Sequence, residues 1–284
     1  MNTNSSLMPD TACVAENTPS FLDLCKIFLI RCHFLSFLSI ALVLTLWHFI
    51  SVYKIWGGTF LPTPWAIVQE IWRLMGASLI GKNLFEHLWA SLHRVLIGWA
   101  LGCAVAIPLG VLMAFNDVVR AIVKPVFDLF KTMPPISWIS LSILWFGMGE
   151  ESKIFIIFIG SFVPCLLNAF YSIRLVDPAL YDAARMLGAN RRQQIMEVAF
   201  FGSIPPIFAG LQISLSLAWS CVLAAELVGG RSGIGFVIIL GINQYKLAMI
   251  VSGMIVIALT AWFLTFIMDR IEKLICPWKQ DIML

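Results

Sequence analysis

Charge is what this sequence has least of. Asp, Glu, Lys and Arg make up 12% of its 284 residues, about half of the roughly 25% usual in globular proteins. A soluble monomer of 31.7 kDa would expose roughly 12,000 Å². Its 19 basic and 16 acidic residues would then each serve roughly 350 Å² of surface. Bare apolar patches on that scale are rare on soluble monomers. With 60% hydrophobic residues and a mean hydropathy of +0.90, a soluble domain and a disordered chain are both excluded. The net charge of +3 is too small for a nucleic-acid partner.

The usual carriers of chemistry are also missing. The 7 cysteines are odd in number and form no C-x-x-C, so they read as small apolar filling, not as disulfides or metal ligands. His33, His48, His87 and His93 show no i, i+4 metal spacing. No paired carboxylates or His/Asp cluster lies in the apolar stretches, so neither catalysis nor a cofactor or metal is expected. Gly76-Ala-Ser-Leu-Ile-Gly81-Lys82-Asn83 nearly fits a phosphate-binding loop. Its last position needs a Ser or Thr hydroxyl for Mg²⁺, and the residues before it read as an amphipathic helix, not a strand. It is a coincidence; an ATPase, if one drives this protein, must be another chain.

What is present is a series of long apolar runs. Stretches free of Asp, Glu, Lys and Arg cover 32–53, 95–116, 132–149, 154–173, 198–225 and 247–268. A bilayer core needs about 20 apolar residues per helix, so the sequence predicts an all-α integral membrane protein with about six transmembrane helices. The run 132–149 is marginal and can borrow residues from before Lys131. The run 232–245 is too short to cross and reads as re-entrant or interfacial. Nothing alternates as a membrane β-strand would. With the N-terminus inside, 12 of the 19 Lys and Arg fall on the cytoplasmic side, the sign the positive-inside rule requires. Both termini are therefore expected in the cytoplasm. The first twenty residues are polar and the next apolar run is long, which argues for a retained anchor and not a cleaved signal. The chain thus reads as a cytoplasmic tail (1–31), a first span (32–53), an external segment with a short helix (54–94), a core (95–270) with a cytoplasmic loop at 174–197, and a second tail (271–284).

That loop is the most informative polar segment. Asp177 suits a helix N-cap and Pro178 the first helical position. Gly188 suits the residue after a helix end. Asn190 with Gln193 three residues on resembles a capping box. The expected product is helix, glycine turn, helix. Leu180, Ala183, Ala184 and Leu187 fall at i, i+3, i+4 and i+7, one apolar stripe that two alanines keep low. Two readings stay open: a connector lying on lipid headgroups, or a knob that docks into a partner.

Asp182-Ala183-Ala184, with Gly188 four residues on, resembles the Glu-Ala-Ala…Gly motif of ABC-importer permeases. Leu61-Pro-Thr-Pro64, Leu92-His-Arg-Val-Leu-Ile-Gly98, Ala106-Ile-Pro-Leu-Gly110, Pro134-Pro-Ile-Ser-Trp138, Leu144-Trp-Phe-Gly-Met-Gly149 and Leu223-Ala-Ala-Glu-Leu-Val228 look like the nitrate/sulfonate/taurine/bicarbonate branch. The resemblance covers roughly 60–268. It implies a type I importer permease fold in a bacterial inner membrane. By the same resemblance the loop is a coupling helix, with Leu180, Asp182, Ala183, Ala184, Leu187, Gly188 and Ala189 meeting the ATP-binding subunit. It further implies a permease homodimer, two ATPase copies, an extracytoplasmic solute-binding protein and a small anionic substrate. Two positions depart from the motif: its Glu is Asp182, and its closing proline falls on Phe201. The second loop helix is therefore expected to run longer.

Other residues are read more simply. Pro134 and Pro135, with Trp138, open the third span, either as plain kinks or as a broken helix on the substrate path. Gly98 and Gly102 suit close helix packing. Glu226 either lines the gate beyond the fifth span or is an interfacial charge, and Glu150-Glu151 reads as a solvated turn. Charged residues are expected to be nearly absent deep in the spans, which argues against the alternative class, an ion-coupled secondary carrier or channel.

Overall fold

A computed structural model describes residues 34–53, 61–76 and 78–278. The tail predicted at 1–31, the start of the first span, and the end of the tail predicted at 271–284 lie outside these residues. The chain divides into a unit ending at Pro64 and a larger one from Trp65. In the first, helix α1 (Phe34–Val52) presents large apolar side chains on most of its surface. Its C-terminal turn is tied down by Trp47, whose indole N–H donates to the Pro62 carbonyl (3.2 Å), and by Ser51, whose hydroxyl donates to Leu61 (2.7 Å).

The larger unit is helical throughout its described residues. Helix α2 (Pro64–Gly76) is amphipathic and buries Ile67 and Leu74, seven positions and two turns apart. Its Glu70 pairs with Arg73, and the Arg73 hydrogen bond holds the Glu70 carboxyl below its usual range. A tight turn follows, in which Leu79 and Lys82 exchange backbone hydrogen bonds. Asn83 then begins helix α3 (Leu84–Phe115), with Glu86 accepting from the Asn83 backbone N–H at 2.9 Å. The described residues of the phosphate-loop look-alike are thus a helix end, a turn and a helix cap.

Helix α3 packs along α6 (Glu150–Arg174) through small residues. A Cβ on Gly98 would lie 2.7 Å from Ile157 Cβ, one on Gly110 would lie 2.8 Å from Ala169 Cβ, and one on Gly102 would overlap the Ser161 hydroxyl. The glycines recur in steps of four or eight, and so do their partners, so two i±4 ridges interlock at close backbone approach. The pairs ascend together in number. The two helices are therefore parallel, and the chain between Phe115 and Glu150 must travel back along the bundle.

That return leg corrects the expected third span. The run 132–149 is not one helix. Helix α4 (Asp117–Phe130) ends at Lys131, a 3₁₀ turn covers Pro135–Trp138, and helix α5 is only Ile139–Phe146. The physical reason is the Pro134-Pro135 pair. Proline disfavours helical backbone in the residue before it, and Pro134 adopts φ −58°, ψ 133°. Retracing the 24 residues from Phe115 to the level of Ser91, the register mate of Glu150 in the seam, takes about 36 Å at helical rise. Helix α5 supplies about 12 Å of that, so α4 must supply most of the rest.

Helix α7 (Pro178–Met186) follows, and then an unbroken helical run, α8 (Arg191–Gly229), with π-helical hydrogen bonding over Gln194–Ala199. The expectation of a longer second loop helix is met: with Phe201 in place of proline it fuses with the following span. Helix α9 (Ile234–Asn243) is short, as expected for 232–245, and α10 (Leu247–Ile275) completes the fold. By length and composition, four described helices suffice to cross a membrane: α3, α6, α8 and α10.

Candidate functional site

At one end of the bundle, α7 stands on local signals. Asp177 accepts from the Ala179 backbone N–H at 2.9 Å, and Asn190 and Gln193 form a reciprocal capping box, both bonds 2.9 Å. Gly188 has φ +81°, a left-handed conformation that costs other residues about 1–2 kcal/mol. The turn therefore needs glycine. Asp182 pairs with Arg185 on the helix surface (3.3 Å), and partial burial pushes the Tyr181 hydroxyl up. The predicted stripe is largely unpartnered: Leu180 and Ala183 are exposed, Ala184 and Ala189 half-buried, and Leu187 is 88% exposed. Met186, 89% exposed, extends the apolar tip. Sequence reasoning passed it over because it lies off the i, i+3, i+4, i+7 pattern.

At the opposite end Arg94 is the hub of an ionic cluster. Its guanidinium donates to Glu226 (2.6 Å), to Glu150 (2.7 Å for Nη2, with a second bond from Nε) and to the Ser232 carbonyl and hydroxyl (2.9 and 2.6 Å). Glu226, 1% exposed, also accepts from the Ser91 hydroxyl (2.8 Å) and the Gly235 backbone N–H (2.9 Å). Gly233, at φ +112°, lies so close that a Cβ would overlap the Glu226 carboxylate. Glu226 is thus a buried anchor whose charge is matched on several sides. The reading of Glu150-Glu151 as a solvated turn needs correction. Glu150 keeps 57% of its side chain exposed, yet it binds Arg94 and draws Lys153 to 3.5 Å. The pairing joins residues 56 and 132 positions apart, beyond the reach of any local pattern.

A third feature lies between the two ends. Phe127 of α4 meets Phe162 edge-on at 6.3 Å, and Phe162 is the midpoint of α6. Phe130 stacks on Trp138 at 5.8 Å, and together with Phe155, Phe158 and Phe162 they border an apolar cavity of about 240 Å³. Pro135 lies over Gly160. The Pro134-Pro135 break is therefore level with the middle of α6, and Lys124, Asp128 and Lys131 precede it on α4. Lys124 and Lys131 each donate to the Asp128 carboxylate at 2.6 Å. These charges fall in none of the apolar stretches 95–116, 132–149 and 154–173; they lie on α4 and at its end, between the first two.

Parallel glycine-notched helices, a broken crossing and an exposed, capped loop define a membrane transport permease. The family of the binding-protein-dependent transport system inner membrane component matches residues 106–280, and the chain belongs to it. It is 30% identical over 249 residues to the taurine transport system permease protein TauC of Escherichia coli, covering 87% of this chain and 90% of that one. It is 31% identical to the putative aliphatic sulfonates transport permease protein SsuC of Bacillus subtilis, covering 85% and 86%. It is 27% identical to the nitrate import permease protein NrtB of Synechocystis, covering 85% and 89%. Its fold matches a chain of the MetNI methionine ABC transporter in an inward-facing conformation, with TM-score 0.58 and 18% identity over 68% of this chain and 95% of that chain. The protein is a multi-pass inner-membrane permease subunit of an ABC-type importer, of the branch its motifs resemble.

Proposed function

We propose that this chain forms the path for a small anion of the sulfonate, taurine, nitrate or bicarbonate type, and that a separate ATPase drives it through the 174–197 loop. The relatives' substrates support the anion class. The unpartnered stripe on α7 carries the coupling proposal. Leu180, Met186 and Leu187 stand in solvent beside Ala183 and Ala184, on a helix fixed by caps at both ends. In this proposal two permease copies form the path, each docking one ATPase, and a solute-binding protein delivers substrate at the Arg94 end. The loop and both termini face the cytoplasm, as the Lys/Arg bias favours. Pro134, Pro135 and Trp138 belong to the path, and Glu226 holds its far end together.

The test is co-purification of the cognate ATPase with an Ala184→Glu permease. The substitution puts bulk and a charge into a surface meant for close approach, at an expected cost of a few kcal/mol. Association should weaken by roughly a hundredfold, while insertion is unchanged because the loop lies outside the spans. Undiminished co-purification with full ATP-dependent uptake would make the loop a mere connector.

A further inference from the structure

Helix α4 has three faces. Val119, Val123 and Phe127 pack against α3 and α6. Val118, Ile122, Val126 and Leu129 form an exposed apolar face. Between these runs a polar stripe at helical spacing: Asp117, Arg120, Lys124, Asp128 and Lys131. Asp117 pairs with Arg120 at the loop end (2.6 Å). Further along, Lys124 and Lys131 share the one carboxylate of Asp128. That leaves an excess of one positive charge. These three side chains keep about a third to a half of their surface exposed.

Their depth follows from the aromatic contacts. Phe127 touches Phe162, about 18 Å from either end of α6, and Asp128 is the next residue. Charged side chains at mid-depth do not face hydrocarbon; they face a water-filled cavity or a partner. The helix also ends here, at a Pro-Pro break, and transporters build midplane substrate sites at discontinuous helices; at this C-terminal end the positive charge comes from the lysines and not from the helix dipole. We infer that Lys124 and Lys131, bridged by Asp128, form a cationic station on the translocation path, where a passing sulfonate or other small oxoanion exchanges Asp128 for itself as the partner of the ammonium groups. Asp128 keeps the two lysines pointed into the path and compensated when the anion is absent. The inference rests on the proposed anion-importing function and assigns that function a selectivity element within the membrane.

Two experiments on the permease assembled with its cognate ATPase and binding protein test it. The first needs no substrate. In Lys131→Cys, the new thiol should react with a membrane-impermeant charged thiosulfonate above the background of the unsubstituted permease. No reaction from either side in resting and ATP-bound complexes would place the position against lipid or protein and overturn the inference. The second measures uptake of taurine, ethanesulfonate, nitrate and bicarbonate. Lys124→Gln with Lys131→Gln should lower the maximal rate of the transported anion at least tenfold, with assembly and ATP hydrolysis within twofold of the unsubstituted complex. Lys131→Arg should retain at least half the rate. Uptake by the double variant at the unsubstituted rate would refute the station. If the unsubstituted complex carries none of these anions, the anion-importing function falls instead, and the thiol reaction still decides whether the stripe lines a path.

Discussion

Removing the Arg94 guanidinium would strand Glu226, a buried carboxylate left with a hydroxyl and a backbone N–H for partners. Breaking one side of a buried ion pair costs about 3–5 kcal/mol. Arg94→Ala should therefore lower the melting midpoint of the detergent-solubilised permease far more than a typical surface substitution does. Arg94→Lys keeps the charge but loses the planar fork that reaches Glu226, Glu150 and Ser232 together, so it should recover only part of the loss. Arg94→Met combined with Glu226→Met should be less damaging than Arg94→Ala alone, since paired removal leaves no orphan charge. A double variant no better than the single would show that the loss comes from the Glu150 and Ser232 contacts of Arg94 and not from a stranded Glu226. Arg94 and Glu226 were recognisable in the sequence as ionisable residues beside long apolar runs. Their pairing was not, because it is made by the packing of α3, α6 and α8. Glu150 was misread for the same reason: a carboxylate after Gly-Met-Gly looks like any solvated turn until α6 is set beside α3.

Elements held by local chemistry were the most legible. Asp177, Pro178, Gly188, Asn190 and Gln193 fix the α7 turn through bonds spanning at most three residues, so the loop could be drawn from sequence. Gly188→Ala should strain it by about 1–2 kcal/mol, read as weaker ATPase co-purification with an unchanged yield of folded permease. The α3–α6 seam was half legible, since Gly98-x-x-x-Gly102 announces close packing but not its partner. Gly102→Val would force its side chain into Ser161 and separate the helices. Overpacking of this kind costs typically 1–3 kcal/mol, measurable as a lower thermal midpoint. Gly76→Ala, where an added Cβ meets nothing within 4 Å, should leave the midpoint unchanged. Helix α4 was the element the sequence concealed. Its polar stripe looks interfacial, and only the parallel register of α3 and α6 shows that 117–149 must retrace the bundle.

For the whole molecule, the Arg94 cluster and the α7 loop lie at opposite ends of one membrane-crossing bundle. Cysteines introduced at Arg231 and at Arg191 should react with an impermeant label from opposite sides, Arg231 from outside intact cells and Arg191 only after the inner face is opened. Labelling of Arg191→Cys from outside would reverse the orientation and remove the ATPase from the loop. The unbroken run Arg191–Gly229 gives the two ends a mechanical relation. At helical rise its 39 residues span about 58 Å, from beside the α7 turn, through a π-helical stretch and Pro205-Pro206, to Glu226 three residues from the far tip. A tilt of only about 5° pivoted at one end would sweep the other through roughly 5 Å, comparable to a full turn of helix. In the proposed coupling, a small angular push on the loop would reach the Arg94 cluster as a displacement of that size, with the chain itself as the lever arm.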